Sequence, residues 1–127
     1  LVDDFHGEYE WSVFQAAMRQ VFPNRAIVDI PPDDPVLNLI FSTDYHTNLP
    51  GRRHLYVGSD GQAVVHMEGP PRWRGVYDDE GRAMVAINFN SDMGDAWEHA
   101  DDPDYPLHMT ALAYRLAVNY IAYAMTH

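Results

Sequence analysis

The chain has 127 residues, of which 46% are hydrophobic and 13% aromatic, so it can build one folded domain and is unlike a disordered segment. Its 19 acidic residues against 8 arginines give a net charge of −11, which disfavours nucleic acid and anionic membrane surfaces as partners. The absence of Cys and Lys excludes disulfides, thiolate metal sites, thiol nucleophiles and Schiff-base chemistry.

The first third of the chain alternates strand and helix signals. Leu1-Val2 resembles the end of a strand, and apolar residues at helical spacing predict a helix over residues 8–22. The β-branched run at 26–30 predicts a strand, and Asp34-Pro35 begins a short helix that continues to Phe41. This alternation is typical of a parallel sheet covered by helices. Because an apolar strand end stands at the first residue, we expect the chain to be part of a longer protein.

The middle of the chain is rich in turn-forming residues. Residues 42–71 predict either a hairpin, with strands at 54–57 and 63–67, or a lid-like excursion. A second hairpin is predicted from 74–77 and 82–88, because the intervening turn ends in a glycine.

The last third predicts a buried strand, a polar tract and a long helix. Residues 84–87 are a continuous apolar run, residues 88–105 are polar and acidic, and residues 106–125 predict a mostly buried helix with one polar edge. Residues 1–127 therefore predict a single α/β domain with a mostly parallel sheet, one hairpin embellishment and a buried C-terminal helix.

Two polar segments follow predicted strands, and ligands collect at the carboxyl ends of parallel strands. One segment follows Val2 and the other follows Ile87. If the two strands are neighbours, carboxylates, amides and an imidazole share one crevice that suits Ca²⁺, Mg²⁺ or Zn²⁺. The candidate ligands are Asp3, Asp4, His6, Asn88, Asn90, Asp92, Asp95 and Glu98.

Structural roles for the same residues stay open. Asp3 and Asp4 can cap the following helix, and Asn88 and Asn90 can satisfy turn backbone. An EF-hand is excluded from position 88 onward, because Met93 replaces its glycine and the final glutamate is missing.

The acidic tract needs a compensating charge, since six carboxylates fall within residues 92–104 without a Lys or Arg. Arg115, on the polar edge of the last helix, is the predicted partner, with Arg72 or Arg74 as further candidates. Among the seven histidines, His54 and His66 can face each other across the first hairpin, but no recognised zinc spacing occurs. The sequence also lacks a serine elbow and nucleotide-binding motifs.

Three segments, VDDFHGEYEW, RGVYDDEGRAMVAINFNSDMGDAWEHADDPDYP and TALAYRLAVNYIAYAMTH, resemble a bacterial family designated domain of unknown function 4159. The resemblance covers most of the chain and is weakest across 42–71. It implies a flavodoxin-like or class I glutamine amidotransferase-like three-layer fold, of which this chain is the C-terminal part. It also implies a secreted or envelope-anchored, hence periplasmic or extracellular, parent protein. It brings no established activity, and amidotransferase chemistry would need the Cys that this chain lacks.

The leading interpretation is a non-catalytic binding or assembly module of a bacterial envelope protein, whose acidic crevice binds a cation or a cationic or sugar-like partner. Because an apolar sheet edge and helix face would be uncovered, we expect a homo-oligomer or a second chain that completes the fold. One alternative is a metal-dependent hydrolase, with Asp3, Asp92 and Asp95 as ligands and His6 or His99 as the base. Another is a structural subunit of a filament or surface layer. No cofactor other than a divalent cation is predicted.

Overall fold

A computed structural model describes residues 1–127 and shows one three-stranded sheet, one two-stranded sheet and four α-helices. In chain order the elements are α1 (Gly7–Val21), β1 (Val28–Asp29), α2 (Pro35–Asn38), a 3₁₀ helix (Arg52–His54), β2 (Leu55–Val57), β3 (Ala63–Val65), β4 (Arg72–Tyr77), β5 (Ala83–Phe89), α3 (Met93–Glu98) and α4 (Leu107–Thr126). None of these helices combines the length and the hydropathy that a bilayer crossing requires.

The sheets are antiparallel, so the prediction of a mostly parallel, flavodoxin-like sheet was wrong. The larger sheet has the strand order β1-β4-β5, with both pairs antiparallel, and β2 pairs antiparallel with β3. The alternation of strand and helix signals suggested a parallel sheet, but β1 has only two residues and pairs antiparallel with β4. The parallel contact is a single bridge between Val2 and Ile87.

Two helical layers cover the larger sheet. On one face, α1 packs Trp11 against Val76, Ile87 and Phe89. On the other face, α2, α3 and α4 enclose a larger core that includes Leu37, Met93 and Leu116. Successive side chains of β4 point to opposite faces of the sheet. Trp73 belongs to the larger core, whereas Arg74 lies on the α1 face, with its Cζ 3.9 Å from the centroid of the Trp11 ring.

Both predicted hairpins form. In the β4–β5 turn, Asp78 N donates to Arg82 O at 2.9 Å, and Gly81 adopts a left-handed φ of 77°. The segment between α2 and β4 supplies the second sheet, which is hydrogen-bonded over Leu55–Val57 and Ala63–Val65.

The burial of α4 differs from its prediction. Asn119, expected on a polar edge, is completely buried, whereas Tyr114, Val118 and Ile121 are exposed. The amide of Asn119 is buried because it serves the turn after α2: its Oδ1 accepts from Ile40 N and Phe41 N, and its Nδ2 donates to Phe41 O. The exposed apolar residues give the helix an uncovered face. The β5 strand is likewise less buried than predicted, since Met84 is exposed.

Candidate functional site

The two polar segments singled out in the sequence lie side by side. Val2 N donates to Ala86 O at 2.8 Å and Asn88 N donates to Val2 O at 2.9 Å. Beyond that bridge, Asp4 N donates to Ser91 O and Asn90 N donates to Phe5 O. The chain therefore passes from Val2 into α1 directly beside the segment that leads from β5 into α3.

Asp3 connects the start of the chain to α3. Its Oδ2 accepts from Met93 N at 2.6 Å and from Gly94 N at 3.3 Å, so it satisfies two of the free amides at the beginning of that helix. Its Oδ1 is buried and has no hydrogen-bond donor. Burial raises the pKa of the Asp3 carboxyl to about 6, against the lowering effect of the Met93 and Gly94 amides.

Asp92 and Asp95 lie at the start of α3. Asp92 Oδ1 accepts from Asp95 N at 2.8 Å and caps the helix, while Asp95 Oδ2 accepts from Arg52 N at 2.7 Å. Burial, together with the neighbouring Asp4, Asp95 and Asp3 carboxylates, raises the pKa of Asp92 to about 7. A site that holds these carboxylates together is one that a cation would stabilise.

Gly51 lies where two of these acids come close to a histidine. A methyl group on Gly51 would lie 3.0 Å from Asp92 Oδ2, 3.3 Å from His54 Nδ1 and 3.4 Å from Asp95 Oδ2. His54 reaches this point because the 3₁₀ helix that carries it is held to α3 through the Arg52 amide. His54 Nδ1 is buried and has no hydrogen-bond partner.

His6 joins the same group through its contact with His54. Its side chain is only 6% exposed, and its ring lies edge-on to the His54 ring with centroids 4.6 Å apart. Neither ring nitrogen makes a hydrogen bond, and Nε2 lies 3.5 Å from Asp4 Oδ1. Burial, followed by the nearby His6 and Arg53, lowers the pKa of His54, so that ring is neutral at neutral pH. We call the group the acid–histidine crevice; it comprises Asp3, Asp4, His6, Gly51, His54, Asp92 and Asp95.

Three of the predicted ligands are not part of the crevice, although the Asn88 side chain borders it beside Asp3. Asn88 is fully buried, where its Oδ1 accepts from Tyr120 OH at 2.8 Å. Asn90 Oδ1 accepts from Gly7 N at 3.0 Å, and its Nδ2 donates to Pro70 O at 3.1 Å. Both amides thus take the structural role that the sequence left open, and Glu98 is exposed on α3.

The compensating arginine is not Arg115, which forms no ion pair. Arg52 instead contacts the acidic tract, with Nε 2.7 Å from Asp102 Oδ2 and Nη2 3.4 Å from Asp104 Oδ2. Arg115 was predicted from the helical spacing of polar residues on α4 alone. That spacing carries no information about the segment between α2 and β4. That segment returns to α3 and carries both Arg52 and His54 to the site.

A second group of metal-binding residue types occurs on α3. Donor atoms of Asp95, Glu98 and His99 all lie within 4.8 Å of one another. Their spacing of three and four residues places them on one side of the helix. Glu98 is exposed and His99 and Asp95 are half-buried, so this group is wetter than the crevice and shares Asp95 with it.

His54 belongs to the crevice but was not among the ligands predicted from the sequence. The prediction paired it with His66 across the hairpin, but its ring meets His6, while the His66 ring packs edge-on against Tyr56. No local pattern marks this contact, because His6 and His54 belong to segments that are far apart in the sequence. Gly51 was the one residue in the sequence that could have indicated this contact, since glycine is common where other groups approach the backbone closely.

The comparisons with known proteins identify the family. The family described as Domain of unknown function (DUF4159) matches residues 1–125. The chain belongs to this family. No curated protein and no solved structure matches the chain. Every residue of the acid–histidine crevice lies within the matched range, so the crevice belongs to the DUF4159 part of the chain.

Proposed function

We propose that this DUF4159 chain is a non-catalytic binding module whose acid–histidine crevice holds a divalent cation. The observation that carries the proposal is the convergence of Asp92 Oδ2, Asp95 Oδ2 and His54 Nδ1 beside Gly51, where an added methyl group would lie within 3.4 Å of all three atoms. Carboxylate and imidazole groups are the ligands that borderline and hard divalent ions use in proteins.

The buried and unsatisfied groups support a ligand rather than a purely structural role. Asp3 Oδ1, His54 Nδ1 and both nitrogens of His6 are buried without partners. Each unsatisfied buried polar group costs about 1–3 kcal/mol. A cation in the crevice would offset these costs and the repulsion between the carboxylates at the same time.

Thermal unfolding with added divalent ions tests this proposal. An ion present at about one hundred times its dissociation constant stabilises the native state by about 2.7 kcal/mol. We expect at least one of Ca²⁺, Mg²⁺, Mn²⁺ and Zn²⁺ to raise the Tm, and Asp92→Asn to remove the shift. Asp60→Asn, in the exposed β2–β3 turn, is the control and keeps the shift. If none of the four ions changes the wild-type Tm, the module does not bind a cation.

A metal-dependent hydrolase is the second candidate, and one observation favours it. Burial raises the pKa of the Asp3 carboxyl to about 6, which is close enough to neutral pH for proton transfer, while Asp92 serves as a ligand. Turnover of phosphoesters, carboxylic esters or glycosides by the ion-loaded protein, lost in Asp92→Asn, would favour the enzyme. Ion binding without turnover on any of these classes leaves the binding module.

The setting of the module is also a proposal. Membership in DUF4159, together with the resemblance to longer secreted and envelope-anchored proteins, supports a bacterial periplasmic or extracellular location. The uncovered apolar side of α4 supports association with a second copy of the chain. That side is defined by Leu107, Tyr114, Val118, Ile121 and Met125, and we call it the α4 apolar face.

A further inference from the structure

We propose that the cation in the acid–histidine crevice is a borderline transition ion such as Zn²⁺, bound through the imidazoles of both His6 and His54 together with Asp92 and Asp95. This inference rests on the proposed function, since it specifies which class of cation the crevice selects. It adds His54 to the ligands predicted from the sequence.

The donor set decides the class of ion. Ca²⁺ and Mg²⁺ are bound by oxygen ligands, whereas imidazole nitrogen suits Zn²⁺ and its neighbours in the first transition row. The crevice offers nitrogen from two histidines, and it offers oxygen from Asp92 and Asp95 beside Gly51. Two histidines and two carboxylates supply the four donors of a tetrahedral zinc site. An ion would draw these donors together, since the group whose donor atoms already lie within 4.8 Å of one another is Asp95, Glu98 and His99 at α3.

The state of His6 is the independent observation that points to a ligand. A buried histidine in an ordinary core role donates from one nitrogen and accepts at the other. His6 does neither, although its side chain is only 6% exposed and its backbone N–H is satisfied by Glu10. The edge-on contact with His54 leaves both rings without hydrogen bonds to hold their orientation. A metal ion would supply the missing interaction to both rings.

The surrounding contacts hold the backbone that carries His54 in position. His54 N donates to Gly51 O at 2.8 Å, His54 O accepts from His66 N at 2.8 Å, and the backbone of the segment is thereby fixed. Arg52 secures the same segment to α3 through its amide on Asp95 and its guanidinium on Asp102. Such outer contacts orient metal ligands and typically change metal affinity by about 10- to 100-fold when they are lost.

The experiment measures the affinity of the full chain for Zn²⁺ and Ca²⁺ by titration calorimetry, after treatment with a chelator. We expect Zn²⁺ to bind at least about tenfold more tightly than Ca²⁺, and His6→Ala and His54→Ala each to weaken Zn²⁺ binding by at least about tenfold. His99→Ala, which removes the imidazole of the α3 group, and His66→Ala, on the outside of the hairpin, are the matched controls and leave the affinity nearly unchanged.

A second pair of measurements guards against misfolded variants. His54→Gln keeps the volume of the side chain, and circular dichroism of each metal-free variant reports whether it folds. The d–d absorption spectrum of bound Co²⁺ reports nitrogen ligation directly, and we expect that spectrum to change in His54→Gln.

Three results would overturn the inference in distinguishable ways. Equal or tighter binding of Ca²⁺, with no effect of either histidine variant, would leave a cation site made of oxygen ligands and refute only the choice of ion. Loss of Zn²⁺ binding in His99→Ala but not in His54→Ala would place the ion on α3. No binding of any ion would refute the proposed function as well.

Discussion

Asp92 has two roles, and both favour an ionised carboxylate. It caps α3 through Oδ1, and at Oδ2 it contributes to the proposed cation site. Without a cation the second role is costly, because Asp92 is buried next to other carboxylates. The raised pKa of its carboxyl is the measurable consequence of that cost.

The pH dependence of stability follows from this shift. The pKa of Asp92 rises from its ordinary value of 3.8 to about 7 in the folded chain. Between these values the native state holds a proton that the unfolded chain has released, so the free energy of unfolding falls as the pH rises. Above about pH 7 both states are ionised and the loss is complete. Asn carries no charge and still caps a helix. We therefore expect Asp92→Asn, in the presence of a chelator, to gain Tm relative to the wild type as the pH rises from about 5 to about 8.

Added metal should reverse the order of the Tm values of the wild type and Asp92→Asn. A bound ion favours the carboxylate form, so the wild type gains Tm at about pH 8 and the Asp92→Asn variant does not. A Tm difference between the metal-free proteins that stays constant across the same pH range would contradict the assignment of a raised pKa to Asp92.

Gly51 permits a direct test of the space between the three donor atoms. Its backbone has φ −60° and ψ 150°, which any residue adopts, so Gly51→Ala introduces no backbone strain. The added methyl group would approach Asp92 Oδ2 to 3.0 Å and occupy the face where the three donor atoms converge. We expect Gly51→Ala to weaken cation binding by about tenfold, or about 1.4 kcal/mol.

The control for Gly51→Ala is Gly58→Ala in the β2–β3 turn. That methyl group would also meet a carboxylate, Asp60 Oδ1 at 2.8 Å, but at the exposed end of the hairpin. Titration calorimetry on both variants separates an effect of the filled crevice from a general effect of adding a side chain. Equal affinities for the two variants would refute the placement of the cation beside Gly51.

At the scale of the elements, α4 holds the preceding α2 through one amide. Asn119 is fully buried and forms hydrogen bonds with both donors and acceptors in the backbone around Leu37–Phe41. Asn119→Ala leaves those backbone groups unpaired inside the protein, and each unpaired group costs about 1–3 kcal/mol. We expect a loss of about 2–5 kcal/mol in the free energy of unfolding, measured by urea denaturation.

Asn24→Ala, in the exposed turn after α1, makes the same chemical change without a buried partner. We expect that variant to stay within about 0.5 kcal/mol of the wild type. A loss of similar size in both variants would mean that Asn119 does not organise the turn after α2.

Helices and hairpins were the part of the structure that local sequence predicts well. The helix expected at 8–22 forms as Gly7–Val21, and that at 106–125 forms as Leu107–Thr126, because apolar spacing and terminal residues determine both locally. The helix that begins at Pro35 follows its predicted cap, Asp34, whose Oδ1 accepts from Val36 N at 2.8 Å. The short α3 was missed, since its capping residues, Asp92 and Asp3, lie in an acidic tract and at the far end of the chain.

Strand pairing and the histidine contact could not be predicted in the same way. Two residues at Val28–Asp29 carry too little pattern to show that they pair antiparallel with β4. The proximity of Asp3 to the residues after Ile87 was foreseen from the idea of a shared sheet edge, and it holds although the sheet is antiparallel. The meeting of His6 and His54 depends on the path of an irregular segment, for which spacing gives no signal.

At the scale of the whole molecule, charge and apolar surface are separated. The chain carries a net charge of −11, yet residues 106–127 contain no acidic residue. Ile121 is 61% exposed within the α4 apolar face, beside a groove of about 580 Å³ that also borders Leu1 and Met84. Large exposed apolar surfaces mark association sites, and this is a surface where two copies can meet without bringing their acids together.

We therefore expect sedimentation to report a species heavier than the 14.5 kDa chain, with a weight that grows with concentration. Ile121→Glu places a charge in the contact and should return the protein to a monomer. Val13→Glu, on the exposed side of α1, changes another exposed apolar side chain and should not. A wild type that stays monomeric over the whole concentration range would contradict association through α4.

The contact between Asp3 and α3 has a consequence for how the protein is made. The hydrogen bond from Met93 N to Asp3 joins residues that are 90 positions apart. During synthesis Asp3 leaves the ribosome long before its partner, so the crevice cannot assemble until translation has passed α3. Closing so long a loop is entropically expensive and slow. The proposed metal capture should therefore be among the last events in the maturation of this protein, and nascent chains halted before Met93 should be unable to retain an ion in the crevice.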